Sequence, residues 1–434
     1  MEPFVIVAVI GIVFGLGFLG GKGWKEVAAE LGLHYSNGFQ RQMTGIIGGF
    51  DVRVTQEKHH INISVSGHNS IRETIKLTKE GFLSGVIGGR DIEIGCPSFD
   101  ANTYISSYFR NSETEISALL DDKTRAIISK VVVKDGAKVS GGCITYNKVH
   151  SIDSVPLAIH KLIKLGRHLT MRSTQIPERL AHNARYDAIS SVRLRNLTLL
   201  QERYSNRKET HDTSSALLID PNHSIRLAAA MFMGPSGLSV VQKIAHSRRA
   251  LVDVRIKALQ HLVREAKQED MIEITMNLLA DRSTRVRRKA IQYLGRLRHR
   301  PTLKYIIPLL KSEGIATSLV IIKAIERIDD PDTEDALIEL LDDSPDRVRA
   351  AAIETLSRIG TVKAVEPLYE LSKQRGFKRP ARVAIDSIQS RLGDVEAGRL
   401  SLAPNVDTDG ALSLAGDPEK SGGLSLEEKP DISS

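Results

Sequence analysis

Leu278-Leu-Ala-Asp-Arg-Ser-Thr-Arg-Val-Arg-Arg-Lys-Ala-Ile291 and Leu340-Leu-Asp-Asp-Ser-Pro-Asp-Arg-Val-Arg-Ala-Ala-Ala-Ile353 are two copies of one pattern. Each has a Leu-Leu pair, an aspartate, a Val-Arg step and an alanine four residues beyond the valine. Anchored at that valine, the pattern recurs at Val192, Ile225, Val254, Val286, Thr317, Val348 and Pro380, spaced 33, 29, 32, 31, 31 and 32 residues apart. Eight residues after the anchors stand Leu200, Met233, Leu262, Leu294, Ile325, Leu356 and Ile388, all large and apolar. Four after them stand Ala229, Ala258, Ala290, Ala352 and Ala384, with Asn196 and Ile321 as the exceptions. Apolar residues four and eight apart share one helical face, and a small residue at the same turn of every helix lets neighbours approach closely. The run from about 186 to 392 is therefore a repeat array of seven helical units.

Two polar positions recur with the apolar ones. Arg193, Arg226, Arg255, Arg287 and Arg349 directly follow an anchor, while Asp187, Asp220, Asp281 and Asp343 stand five residues before one. An aspartate just ahead of a helix caps its free N–H groups for about 1 kcal/mol. An arginine at the start of that helix is placed to reach the aspartate of the adjoining unit, so the two rows are expected to form a structural ladder of charge pairs. The competing reading is a ligand-binding arginine row. Thr317-Ser318 replaces Val-Arg in the fifth unit, and Lys378-Arg379-Pro380 disrupts the helix start of the seventh, where an atypical cap is expected.

In these residues, above all 278–291 and 340–353, the chain resembles HEAT repeats of the short bacterial kind. The resemblance implies a mainly α fold, an α-α solenoid or armadillo-like superhelix over residues 176–395, offering a surface of parallel helices to a protein partner. The hydroxylase branch of that family uses paired His-Glu dipeptides as iron ligands, and no His-Glu occurs in this sequence. The array is read as a scaffold without catalytic residues, cofactor or metal.

Arg285 to Lys304 holds eight Lys/Arg and no acid. Arg285, Lys289 and Arg296 fall on one helical face and are the candidate partner-binding residues, suited to an acidic protein or to phosphates. Tyr293 is the lone aromatic among them, so nucleic acid is the less favoured ligand, and a merely solvated face is the bland alternative. The net charge of +8 hides an asymmetry: residues 396–434 carry eight Asp/Glu against three Lys/Arg, a net of −5, leaving +13 for residues 1–395.

Ahead of the array, residues 22–175 show short runs alternating at period two, read as a small α+β domain. Phe50–Thr55 and Ile61–Val65 are expected to form an antiparallel pair, and Val131–Gly136 with Val139–Tyr146 a hairpin turning at Asp135-Gly136. Helices are expected near Trp24–Leu33, Glu113–Ile128 and Val155–Met171. Gly95-Cys-Pro-Ser-Phe-Asp100, with the helix and hairpin after it, resembles a domain of uncharacterised bacterial membrane-associated proteins, though that family usually begins Gly-Asp-Pro. The resemblance brings no activity, so an enzyme or small-molecule sensor housed in residues 24–175 is the alternative function. Cys96 and Cys143 lack the spacing of a zinc site, and the sequence leaves open whether they pair.

Pro3 to Gly21 is a run of nineteen uncharged residues, about 28 Å of helix at 1.5 Å per residue. A transmembrane helix over residues 1–21, contacting the membrane through 3–21, is expected, with a cleaved signal peptide as its rival. Trp24, Lys22 and Lys25 suit the interface, and basic residues on that side place the C-terminal domains in the cytoplasm of a single-pass protein. Gly15-Leu-Gly-Phe-Leu-Gly20 fits a dinucleotide fingerprint by letter, but the apolar run before it is too long for its strand and no acid stands about twenty residues on. Gly11, Gly15, Gly17 and Gly21 have the spacing for self-association of two such spans.

After Leu392 the pattern stops, and composition marks residues 396–434 as a disordered acidic tail. Within it Gly-x-Leu-Ser-Leu recurs at a spacing of twelve, placing Leu400 with Leu402, Leu412 with Leu414, and Leu424 with Leu426. This reads either as a multivalent linear motif for a partner or as neutral duplication.

Overall fold

The computed structural model describes residues 23–67, 75–81, 91–107, 112–396, 400–402 and 412–414. They fall into two compact units, divided between Val241 and Gln242.

The first unit is built on an eight-stranded antiparallel sheet. Its strands are β1 (His34–Asn37), β2 (Arg41–Ile47), β3 (Phe50–Gln56), β4 (Ile61–Ser66), β5 (Ile75–Lys79), β6 (Thr103–Ser107), β7 (Lys138–Ser140) and β8 (Cys143–Val149), in the order β1-β2-β3-β4-β8-β7-β5-β6. Period-two alternation places Phe50, Val52 and Val54, and likewise Ile61, Ile63 and Val65, on one buried face. Helix α1 (Trp24–Leu31) precedes the sheet, and helices α2 (Ser112–Leu119) and α3 (Asp122–Ile128) lie between β6 and β7. The amphipathic helix α4 (Val155–His168) contributes Ile159, Leu162, Ile163 and Leu165 to the same core. It lies so close to the sheet that a Cβ on Gly166 would stand 2.8 Å from the Phe50 ring.

The sequence reading differs from the structure around Val131. Ser129–Lys134 is a wide helical turn, because Val131 and Val132 are both buried, which consecutive residues of a half-buried strand are not. The hairpin turns instead at Gly141-Gly142, whose φ angles of 57° and 71° only glycine adopts freely. The Gly95–Asp100 segment is closed by its own carboxylate, which accepts the N–H groups of Ile94 and Gly95 at 3.2 and 3.0 Å. Burial raises the Asp100 pKa despite those hydrogen bonds. Cys96 and Cys143 are both free thiols.

The first unit also holds the opening repeats, helices α5 (Ile176–Tyr186), α6 (Ser190–Arg203), α7 (Lys208–Ala216) and α8 (His223–Phe232). Val192, Leu199 and Leu200 of α6 join the core of the sheet domain.

The second unit is a stack of helical hairpins. Their second helices are α9 (Val252–Glu265), α10 (Thr284–Arg296), α11 (Ile315–Ile328), α12 (Asp346–Ile359) and α13 (Lys378–Glu396), each packed on the next in that order. The alanines four after the anchors, Ala258, Ala290, Ala352 and Ala384, are buried, as are Leu262, Leu294, Ile325, Leu356 and Ile388. Gly295 sits so tightly against α11 that a methyl there would stand 2.8 Å from both Cα and Cβ of Ala324. Beyond α13, Leu400–Leu402 and Leu412–Leu414 pair antiparallel, with Leu414 opposite Leu400 and Leu412 opposite Leu402. The third copy of that motif lies outside the described residues.

The expected fold class requires a correction. No helix among the described residues is long and apolar enough to cross a membrane. The nineteen-residue α13 has the length, but Lys378, Arg379, Arg382, Asp386 and Arg391 preclude a hydrocarbon environment. The fold is a β-sheet domain with helical repeats, and neither the transmembrane helix nor the single-pass membrane localisation is retained. The run at residues 3–21 lies outside the described residues, and self-association through it finds no support among them.

Candidate protein-interaction face

The arginines that follow the anchors are held in place by the loops between units. Arg193 grips Asp220 through two hydrogen bonds of 3.2 Å and donates to the Asp187 carbonyl at 2.9 Å. Arg255 grips Asp281 in the same bidentate way, one bond measuring 3.1 Å, with both side chains buried. Each aspartate also accepts the N–H two residues on: Ile189 for Asp187, Asn222 for Asp220 and Ser283 for Asp281. One carboxylate thus closes the turn ahead of its helix and receives an arginine, but it does not cap the helix as expected: Asn222 caps α8, and α6 and α10 have no side-chain cap. Burial alone would raise the Asp281 carboxyl, but hydrogen bonds from Arg255 and the Ser283 N–H, with the charges of Arg255 and Arg248, hold it below its ordinary value.

The other members of the row have different partners. Arg226 donates to the Asp220 carbonyl at 2.5 Å. Arg287 donates to the Asp281 carbonyl at 2.7 Å and pairs with Glu313. Arg349 bonds Gln374 at 2.9 Å and Asp346 at 2.5 Å, with its guanidinium 4.4 Å from the centre of the Phe377 ring. The Asp343 side chain is outside the described residues. Asp187 itself receives Arg125 of α3 at 2.7 and 3.0 Å, a partner the repeat pattern could not reveal. Arg193, Arg255, Arg287 and Arg349 each reach a side chain of the next unit, whereas Arg226 bonds within its own unit, and all five are engaged within the fold.

A second set of cations is not spent. Positions three and ten after an anchor lie two turns apart on one side of the helix. On α9 they are Lys257 and Arg264, on α10 Lys289 and Arg296, and at position ten of α11 Arg327. None of these five makes an ion pair with an acid among the described residues. Lys289 donates only to Gln292, at 3.1 Å. Arg285, on the same side of α10, is less free, because it pairs with Asp253 at 2.6 Å. Lys323 of α11 pairs with Glu326 at 2.6 Å.

Beneath these cations lie His261 and Tyr293, at equivalent positions of α9 and α10 and 7% and 5% exposed. The Arg296 guanidinium stands 5.6 Å from the centre of the Tyr293 ring. Burial raises the Tyr293 pKa, and the charges of Arg296 on the same helix and Arg264 on α9 oppose that rise. Burial lowers the His261 pKa, leaving the ring uncharged at neutral pH, and its Nε2 has no hydrogen-bond partner. The face is therefore cationic with an aromatic floor, suited to carboxylates on an extended segment. No cluster of three or more His, Cys, Asp and Glu side chains among the described residues could hold a metal ion.

Residues 303–389 match the family model of HEAT repeats. The match does not extend to residues 24–174, where the resemblance to a bacterial membrane-associated domain finds no support. No curated protein matches the chain. Among solved structures it is similar to YibA of Escherichia coli, at 18% identity over 56% of this chain and 99% of that one, with a TM-score of 0.34. It is also similar to an engineered protein, at 15% identity over 54% and 96% of the two chains, with a TM-score of 0.24. Neither superposition is close enough to build on, and the firm outcome is narrower: the chain carries HEAT-like repeats in a helical solenoid.

Proposed function

We propose that the repeats of residues 242–396 form a non-catalytic protein-interaction scaffold, gripping an acidic segment of a partner through Lys257, Arg264, Lys289, Arg296 and Arg327. HEAT repeats are suited to protein interaction, and one observation supports the finer reading: these five cations stand on three successive helices without acidic partners among the described residues, while the anchor-row arginines are engaged. An acidic peptide would gain charge-assisted hydrogen bonds there without breaking a stacking contact.

The test is fluorescence anisotropy of a labelled glutamate-rich peptide against the full chain, with a duplex DNA of matched charge as the second arm. Binding that weakens steadily with salt, and falls at least about tenfold in Lys289→Glu/Arg296→Glu, is the expected result. No peptide binding at low salt, or binding indifferent to the charge reversal, would refute it. Binding of DNA in preference to peptide would assign the face to nucleic acid.

A groove of about 360 Å³ in the first unit, lined by Tyr146, Lys148, His150 and Lys161 above Val131 and Leu162, favours a second reading, a small-molecule site in residues 24–175. Native mass spectrometry of the purified chain tests it by looking for a retained ligand.

A further inference from the structure

We infer that the basic face has an occupant within this chain, the segment Leu424-Ser-Leu-Glu-Glu428, which docks on it in competition with an acidic partner. The inference rests on the reading of that face as a site for acidic segments.

The three copies of Leu-Ser-Leu are not equivalent. Leu400–Leu402 and Leu412–Leu414 are engaged with each other as paired strands. Only the third copy is followed at once by two acids, Glu427 and Glu428; the others continue Ala403-Pro404 and Ala415-Gly416. Residues 415–434 hold Asp417, Glu419, Glu427, Glu428 and Asp431 against Lys420 and Lys429, a net of −3. The face combines its unpaired cations with apolar surface, since Val320 stands half-buried at position three of α11. Leucines followed by a Glu-Glu pair match such a surface in both respects, the acids to Arg296 and its unpaired neighbours and the leucines to Val320.

The chain is long enough to reach. Neighbouring helices lie about 8–10 Å apart, so the path from α13 back to α10 is roughly 24–30 Å and to α9 roughly 32–40 Å. Leu400–Leu402 and Leu412–Leu414 pair antiparallel, with Leu400 opposite Leu414, so they add little net distance, while the thirteen residues 397–399 and 415–424 can reach up to about 43 Å at roughly 3.3 Å each. A tethered segment competes at an effective concentration in the millimolar range, enough for a weak contact to reduce the affinity of an external ligand several-fold.

Carbodiimide cross-linking of the dilute full chain, followed by mass spectrometry, is the direct test. Cross-links from Glu427 or Glu428 to Lys257 or Lys289 within monomers are expected, lost in about 0.5 M salt, where charges are screened within a few ångströms. Their absence at low salt overturns the inference. In the anisotropy assay, deletion of 415–434 and the variant Glu427→Lys/Glu428→Lys should both tighten the acidic peptide by roughly three- to tenfold. Equal peptide affinity with and without the segment overturns the inference while leaving the interaction face intact. Cross-links without peptide binding to either form uphold the internal contact and remove the external partner.

Discussion

Replacing Asp281 by alanine strands the Arg255 guanidinium, a cation 3% exposed whose charge is otherwise met by that one carboxylate. It also removes the acceptor of the Ser283 N–H, a 2.8 Å bond that closes the turn leading into α10. Breaking a buried pair from one side costs about 3–5 kcal/mol, and losing the turn hydrogen bond about 1 kcal/mol, so roughly 4 kcal/mol is a conservative sum. That loss falls on the contact between α9 and α10, and the suitable measurement is native-state hydrogen exchange across 284–296, where it corresponds to about a thousandfold faster exchange. Arg255→Met/Asp281→Asn removes both charges and keeps an acceptor for the Ser283 N–H. Its loss should fall short of the sum of the single substitutions by about 1–3 kcal/mol. Exchange in Asp281→Ala within about tenfold of the parent would show that the pair does not hold the two helices together, and the stacking role given to the arginine row would fall with it.

Two further outcomes follow from the same contacts. Gly295→Ala forces a methyl against Ala324 at 2.8 Å and should cost about 1–3 kcal/mol, whereas Gly314→Ala, with φ of −72° and nothing within 4 Å, should be neutral or slightly stabilising; thermal midpoints compare them. Because Asp281 titrates below the ordinary value of 3.8, folding favours its charged form, so its contribution is complete above about pH 4 and is lost as pH falls through the lowered value. Denaturation followed at a series of acidic pH values should therefore show the advantage of the parent over Asp281→Asn shrinking below pH 3.8, and a constant advantage would contradict the assignment.

The helical period was legible because burial enforces it: a residue four or eight after an anchor must be small or large to let the next helix stack. Less legible was where each arginine ends. For four of the five the structure places a side-chain acceptor 25 to 27 residues later, Asp220 for Arg193 and Asp281 for Arg255, but Glu313 for Arg287 and Gln374 for Arg349, while Arg226 donates to the Asp220 carbonyl ahead of its own helix. Glutamate and glutamine reach farther than aspartate, so they fill the same role from a different register, and a search keyed to aspartate five before an anchor passes over them. Ala137 and Val139 belong to the same lesson at the scale of a turn. The Asp135-Gly136 step offered a hairpin signal, but Gly141-Gly142 offered one as strong, and tertiary burial of Val131 and Val132 decided between them.

The interaction face was only partly legible for a related reason. Reading along the chain singles out Arg285, Lys289 and Arg296, which are close in sequence, and one of them is tied to Asp253. Lys257, Arg264 and Arg327 stand at the same repeat positions but 31 or 32 residues away, so aligning the units under one another is what exposes them. The alignment also shows where the face ends. On α12 position three is Ala351, position six is Glu354, and Arg358 at position ten is held by Glu326 and Glu354. The unpaired cations thus cover three helices, about 20–30 Å across at 8–10 Å per helix. An extended segment crosses that width in roughly six to nine residues at 3.3 Å each, which sets the length of acidic sequence the face can grip at once. A five-residue segment such as Leu424–Glu428 covers part of it, so an internal contact there would weaken an external partner without excluding it.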